Sequence, residues 1–369
     1  MTMTGSMTRR TAVKAFGAAA GLLAAGVSMP LAGAAPSKEI RVLALNTWLS
    51  GSKISGGIDL IADLIIDTQS TIVLLSEAGN ATTPVAAALE KKGHRFNAVP
   101  SHDTGVLSAF PIEDSADLGF LVKARVNVEG RKLTVYAAHL EYRWYATYLP
   151  RGYGAGVPAP GEFSEYGWKK MPAPVTDPAV VQRVNITSGR PDVIGKFIED
   201  AKGEAAAGRS VIMGGDFNEP STLDWTGATR HLFDHNGVVL PWESTQRLQN
   251  AGFVDAYRSK YPNPVTHPGF TWPASNPDAK VAELTWAPDA DERDRIDYIF
   301  AGPGSALSLS EVGLVGPRGS IVRNARQDEN TQDNFVASPK KWVTDHKAVL
   351  ATYQLGDGTG RPPTGSSGN

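Results

Sequence analysis

Cysteine is absent from this 369-residue chain. Its absence excludes disulfides, thiolate metal cages, a cysteine nucleophile and the lipid anchor that needs a cysteine after an export signal. An excess of either charge is missing too, with 36 basic residues against 38 acidic ones. That balance does not favour a nucleic-acid partner, although a local basic groove is compatible with neutrality. No run of about 20 strongly apolar residues occurs, so a permanent transmembrane anchor is not expected. There is no Gly-x-Ser-x-Gly elbow and no Gly-x-x-x-x-Gly-Lys loop, so a serine esterase and an ATP-driven enzyme lack their simplest support.

The ends of the chain are distinctive. Thr8-Arg9-Arg10-Thr11 precedes an Ala/Gly-rich apolar stretch from Ala15 to Val27, followed by Ala32-Gly33-Ala34. This reads as a twin-arginine export signal over residues 1–34, cleaved after Ala34, and implies a secreted or periplasmic protein. Met1 to Ser6 precede a second possible start at Met7 and carry no fold information. Residues 356–369, rich in Gly, Ser, Thr and Pro, are expected to be disordered. Between these ends no linker or repeat is visible, so residues 35–355 read as one domain, expected to be monomeric.

Within that domain one pattern recurs: a short apolar strand ends in a polar residue. Ser210-Val211-Ile212-Met213 runs into Gly214-Gly215-Asp216-Phe217-Asn218, which places a carboxylate and an amide at a strand end. The glycines would let backbone approach a substrate, Asp216 could hold a proton or water, and Asn218 could donate to a phosphoryl oxygen. The same pattern ends Val42 to Leu45 in Asn46, Ile72 to Leu75 in Ser76-Glu77, and Val135 to Ala138 in His139. It recurs with Asp297 inside Ile296 to Phe300, and with Thr344-Asp345-His346 before Ala348-Val349-Leu350. Between strands, Ile58, Ile61, Ala62, Ile65 and Ile66 repeat at helical spacing. A second helix starts at Pro191, with Val193, Ile194, Phe197, Ile198 and Ala201 on one face and Gly208 as its stop. A mixed α/β protein follows.

Asn46, Ser76-Glu77, His139-Leu140, Gly215-Asp216-Phe217-Asn218, Arg295-Ile296-Asp297-Tyr298 and Thr344-Asp345-His346 resemble, in that order, the motifs of the endonuclease/exonuclease/phosphatase superfamily of metal-dependent phosphohydrolases. Gly105 to Ile112 and Gly252-Phe253-Val254-Asp255 add to the resemblance, which spans roughly residues 40 to 355. It implies a DNase I-like four-layer α/β/β/α sandwich of two packed mixed sheets. It also implies hydrolysis of a phosphate ester by activated water with Mg²⁺ or Mn²⁺. Glu77 would be the principal metal ligand, flanked by Asn46 and Asp345, since a hard cation favours carboxylate oxygens. His346, oriented by Asp297, would act on the phosphate, and His139 would serve as general acid at the leaving group. Asp216 and Asn218 would position the nucleophile; whether His346 or Asp216 takes the proton stays open. An extracellular nuclease and a secreted binding protein without turnover are the alternatives.

Two departures from the family pattern stand out. Trp48 stands where DNA-repair members carry an acidic residue, which removes one possible metal ligand and weighs against an abasic-site endonuclease. The insertion 141–184 is long and aromatic, and Trp144, Tyr145 and Tyr148 in it are candidate substrate contacts. These rings could form a substrate wall or a satellite core. His231 and His235 have the spacing of a zinc helix, but Leu232 occupies the position of a zincin's catalytic glutamate. His102, between Ser101 and Asp103, reads as a loop residue.

Overall fold

The computed structural model describes residues 37–156, 163–336 and 341–357. The segment expected to be an export signal and most of the tail lie outside them. Among the described residues, seven strands form a first sheet. Its order is β14 (Phe335–Val336), β11 (Leu307–Val315), β15 (Ala348–Leu355), β1 (Lys38–Asn46), β2 (Ile72–Ser76), β4 (Gly105–Ser108) and β3 (Asn97–Pro100). Six strands form a second, in the order β5 (Ile112–Asp117), β6 (Leu121–Val128), β7 (Arg131–His139), β8 (Ser210–Asp216), β10 (Asp297–Ala301) and β9 (Val254–Asp255). A small separate ribbon pairs β12 (Ser320–Val322) with β13 (Ala325–Gln327). β1 and β2, and β7 and β8, run parallel, while most other neighbours are antiparallel. Both large sheets are therefore mixed.

Side-chain alternation sorts the apolar residues into layers. Val42 and Ala44 of β1 point inward, where they meet Val135, Ala137 and Ile212 of the second sheet. Leu43 and Leu45 point outward onto α1 (Gly57–Asp67) and α2 (Thr82–Lys91) through Ile61, Ile65, Val85 and Leu89. On the far side, Tyr136, Met213 and Phe300 pack against Ile194, Phe197 and Ile198 of α4 (Arg190–Ala206). The four-layer α/β/β/α sandwich is thus present. Among the described residues no helix is long and apolar enough to cross a membrane.

Three local features go beyond or change the sequence reading. A helix not anticipated, α3 (Pro178–Ile186), closes the insertion; Asp177 caps it by accepting from the Ala179 N–H, and Pro178 opens it. Gly105 to Ile112 is a crossing between sheets, since β4 belongs to the first and β5 to the second. Gly214 and Gly215 serve strand packing rather than substrate approach. A Cβ on Gly215, whose φ is 128°, would lie 2.1 Å from the Ala138 carbonyl oxygen, and one on Gly214 would lie 2.7 Å from that of Tyr298.

Candidate active site

Strand register builds the polar part of the site. In the second sheet, Asp216 faces His139 across β7 and Asp297 across β10, so three functional side chains stand in a row. In the first, Asn46 aligns with Ser76, and Glu77 follows with φ 50°. Ser76 couples the sheets: its hydroxyl accepts from the Asp216 N–H at 2.9 Å and donates to the Ala138 carbonyl at 2.8 Å. Asn46 crosses the same gap, with its amide nitrogen 2.9 Å from Asp216 Oδ2 and 3.2 Å from Glu77 Oε1. His346, just before β15, completes the set through Nδ1, 2.9 Å from Asp297 Oδ2.

Backbone geometry next to Asn46 is unusual. Trp48, Leu49, Ser50 and Gly51 all have positive φ, between 50° and 69°, and form a left-handed turn closed by Gly51 N–H to the Thr47 carbonyl. Non-glycine residues disfavour this region, so the surroundings must hold it. They do: the Trp48 N–H donates to Asn46 Oδ1 at 2.9 Å and the Leu49 N–H to Glu77 Oε2 at 2.8 Å. Asn46 therefore presents its carbonyl oxygen to the chain rather than to the cavity. Its amide nitrogen links Glu77 to Asp216.

Asp216 Oδ2 lies 3.8 Å from His346 Nε2 and 3.9 Å from His139 Nε2. Burial opposes charge on both imidazoles, but their carboxylate neighbours outweigh it. Asp103 and Asp216 raise His139 to about 9, and Asp297 and Asp216 raise His346 to about 10. Burial, reinforced by Asp297, raises Asp216 to about 6. His139 Nε2 is buried without a hydrogen-bond partner, which leaves an imidazolium N–H free for a ligand. Asn218 uses its amide on the Leu140 carbonyl at 3.1 Å, while its backbone N–H holds Asp216 Oδ1 at 2.8 Å.

Glu77 and Asp345 both line the adjoining cavity. Asp345 is raised to about 6 by burial and by the Glu77 charge, despite His346 nearby. A divalent cation would cancel that repulsion, so this oxygen-rich pair fits one. Asp216, Asp297 and His346 are a second trio, with candidate ligand atoms within 4.8 Å of one another. The imidazole–Asp297 hydrogen bond makes that trio better suited to proton handling.

The cavity, about 510 Å³, extends from this cluster along an aromatic wall. Tyr145 and Tyr148 line it, with their hydroxyls donating to buried Asp294 and Glu292 at 2.9 Å and 2.7 Å. They also pack with Tyr153 and Trp272, so the same rings belong to a core cluster and to the cavity wall. Trp144 is not among the lining residues; its ring stacks under the Arg143 guanidinium, 5.0 Å from the centroid. Sequence reasoning missed Asp103, whose Oδ2 is 2.5 Å from His139 Nδ1, and also His102, Trp272 and Trp286 in the cavity wall. No spacing signal marks them, because each sits on a loop. His231 and His235 form no site: His235 is buried against Trp225 at 3.7 Å between ring centroids, and His231 is exposed.

A model of the Endonuclease/Exonuclease/phosphatase family matches residues 43–346. The chain belongs to that family. Uncharacterized protein F14F9.5 of Caenorhabditis elegans is 26% identical over 330 residues, covering 86% of this chain and 92% of the relative. Among solved structures, truncated Caenorhabditis elegans TDP2 is similar, at 16% identity and TM-score 0.47, over 86% of this chain and 98% of that one. An endonuclease/exonuclease/phosphatase from Beutenbergia cavernae shares 16% identity with TM-score 0.45, over 86% and 72%. The family's motif residues converge here on one cavity: Glu77, His139, Asp216, Asn218, Asp345 and His346 line it, with Asn46 and Asp297 buried directly behind.

Proposed function

We propose that this protein is an exported, divalent-metal-dependent phosphoesterase that hydrolyses a phosphodiester or phosphomonoester with activated water. The observation that carries the reading is the position of Asp216 Oδ2, held by the Asn46 amide between two imidazoles. At neutral pH both rings are protonated and Asp216 is ionised, given values of about 9, about 10 and about 6. Asp216 is then the group able to accept a proton from water, and the imidazoliums are donors. His346, held by Asp297, binds the phosphoryl oxygens, and His139, backed by Asp103, protonates the leaving oxygen. Asn46 and the Asn218 N–H keep the Asp216 carboxylate aimed.

Glu77 and Asp345 would hold Mg²⁺ or Mn²⁺, which when bound neutralises phosphoryl charge and polarises the ester. Completeness argues against a binding protein without turnover, since Glu77, Asp216, Asp297 and His346 are all present and assembled. Export rests on Arg9-Arg10 and the stretch after it; N-terminal sequencing of protein recovered outside the cytoplasm should begin at Ala35, and an intact Met1 or Met7 there would refute cleavage.

The test of the hydrolase reading is turnover of bis(p-nitrophenyl) phosphate and p-nitrophenyl phosphate by mature protein. EDTA should abolish the rate and Mg²⁺ or Mn²⁺ should restore it. Full activity after exhaustive chelation, or an unchanged rate in Asp216→Asn, would overturn it.

A further inference from the structure

The cavity combines features that a site for a polyanion would not. Among the described residues no lysine or arginine lines it, whereas Glu77, Asp103, Asp216 and Asp345 do. A nucleic-acid backbone needs cationic side chains along its track, and beyond His102 and the two imidazoles at the reaction centre this surface offers carboxylates. Beside the carboxylates runs a line of rings. Trp272 lies 6.5 Å from the His346 ring and 6.3 Å from Tyr145; Tyr145 is 4.9 Å from Tyr148, Tyr148 is 5.9 Å from Trp168, and Trp168 is 5.0 Å from Trp286. The line leads from the catalytic imidazole to the mouth, where Trp286 is 48% exposed. A tryptophan that the core does not need, placed at a cavity mouth, is available to a ligand.

The wall is neutral as well as aromatic. The hydroxyls of Tyr145 and Tyr148 are committed to Asp294 and Glu292. Those carboxylates sit behind the rings and are further satisfied, Asp294 by Arg151 and Glu292 by the Trp286 and Ala287 N–H groups. Among the described residues no free charge faces a ligand from that side. The line of five rings begins at His346; on the side of His139, the group assigned to the leaving oxygen, one ring lines the cavity, Tyr142, stacked on the imidazole at 6.4 Å.

We propose that the line of rings from Trp272 to Trp286 is a subsite for a flat apolar substituent that stays on phosphorus, so the preferred substrate is a singly charged phosphodiester bearing an aryl-type group. The proposal rests on the hydrolase reading only for its kinetic test. Three p-nitrophenyl esters share one leaving group: the methyl, phenyl and choline phosphodiesters. For the wild type, kcat/KM for the phenyl ester should exceed that for the methyl ester roughly tenfold or more. In Trp286→Ala and in Trp168→Leu that ratio should fall towards one. Trp286 is exposed, so its replacement leaves folding intact. A wild-type ratio near one, a ratio unmoved in both variants, or a choline ester preferred over the phenyl ester would overturn the proposal, the last by marking a cation site. Binding of diphenyl and dimethyl phosphate, read by tryptophan fluorescence, separates this from failure of the hydrolase reading. If no ester is turned over, roughly tenfold tighter binding of the diphenyl compound, lost in both variants, sustains the subsite; equal binding of the two compounds overturns it.

Discussion

The two halves of the cavity are built by different means. Strand register sets the polar half: His139, Asp216 and Asp297 stand opposite one another, and Ser76 and Asn46 tie one sheet to the other. Loops set the aromatic half, and buried ion pairs hold the loops. Arg151 binds Asp294 at 2.5 Å and 3.1 Å. Arg190 binds Glu219 at 3.3 Å and caps the carbonyls of Glu141 and Trp144. Residues that do the chemistry are therefore expected to add little to stability, and residues that shape the wall are expected to add much.

The largest expected effect lies in the polar half. Asp216→Asn should lower kcat by roughly 10³-fold, the scale of a lost general base. Its melting temperature should stay level or rise. The sign follows from a folded-state value of about 6, above the ordinary 3.8: ionised Asp216 opposes folding, and its contribution to stability is present at low pH and lost as pH rises through about 6. A large fall in melting temperature would contradict the division between halves.

Arg151→Met should show the converse. It leaves Asp294 buried without its cation, which costs roughly 3–5 kcal/mol and lowers the melting temperature by roughly 10 °C. An unchanged melting curve would break the comparison. Acid sharpens it. His235, buried on Trp225 and close to the Arg151 charge, is lowered to about 2. Its neutral form belongs to the folded state, so stability falls as pH drops below about 6.5, by about 1.4 kcal/mol per unit, until pH nears the folded-state value. Melting temperatures of His235→Phe should depend less steeply on pH between 6.5 and 4.5 than those of the wild type; parallel curves would refute the assignment. The smallest effect is that of Tyr148→Phe, about 1 kcal/mol, because Glu292 keeps its bonds to Thr285 and two backbone N–H groups.

The same contrast explains what the sequence reveals. Asn46, Glu77, His139 and Asp216 are legible because each closes a short apolar run that reads as a buried strand. The sandwich follows from those strands, the two helices and the family motifs. Trp272 and Trp286 are not legible, because partners far away in sequence fix their loops; Arg151 and Asp294 are 143 residues apart. Asp103 sits in the short turn between β3 and β4, and only its contact with His139 gives it a place in the site. Tyr145 and Tyr148 are visible as aromatic, but only their hydroxyl partners show that the rings both pack and line the cavity. The α3 helix carried a readable signal in Asp177-Pro178, which the insertion's length obscured.

The most direct test of the division between chemistry and recognition is titration of diphenyl phosphate into Asp216→Asn, alongside its turnover of the p-nitrophenyl phenyl ester. The expected result is binding within a few-fold of the wild type, with turnover reduced roughly 10³-fold. Loss of binding in step with turnover, or turnover that survives, would contradict it.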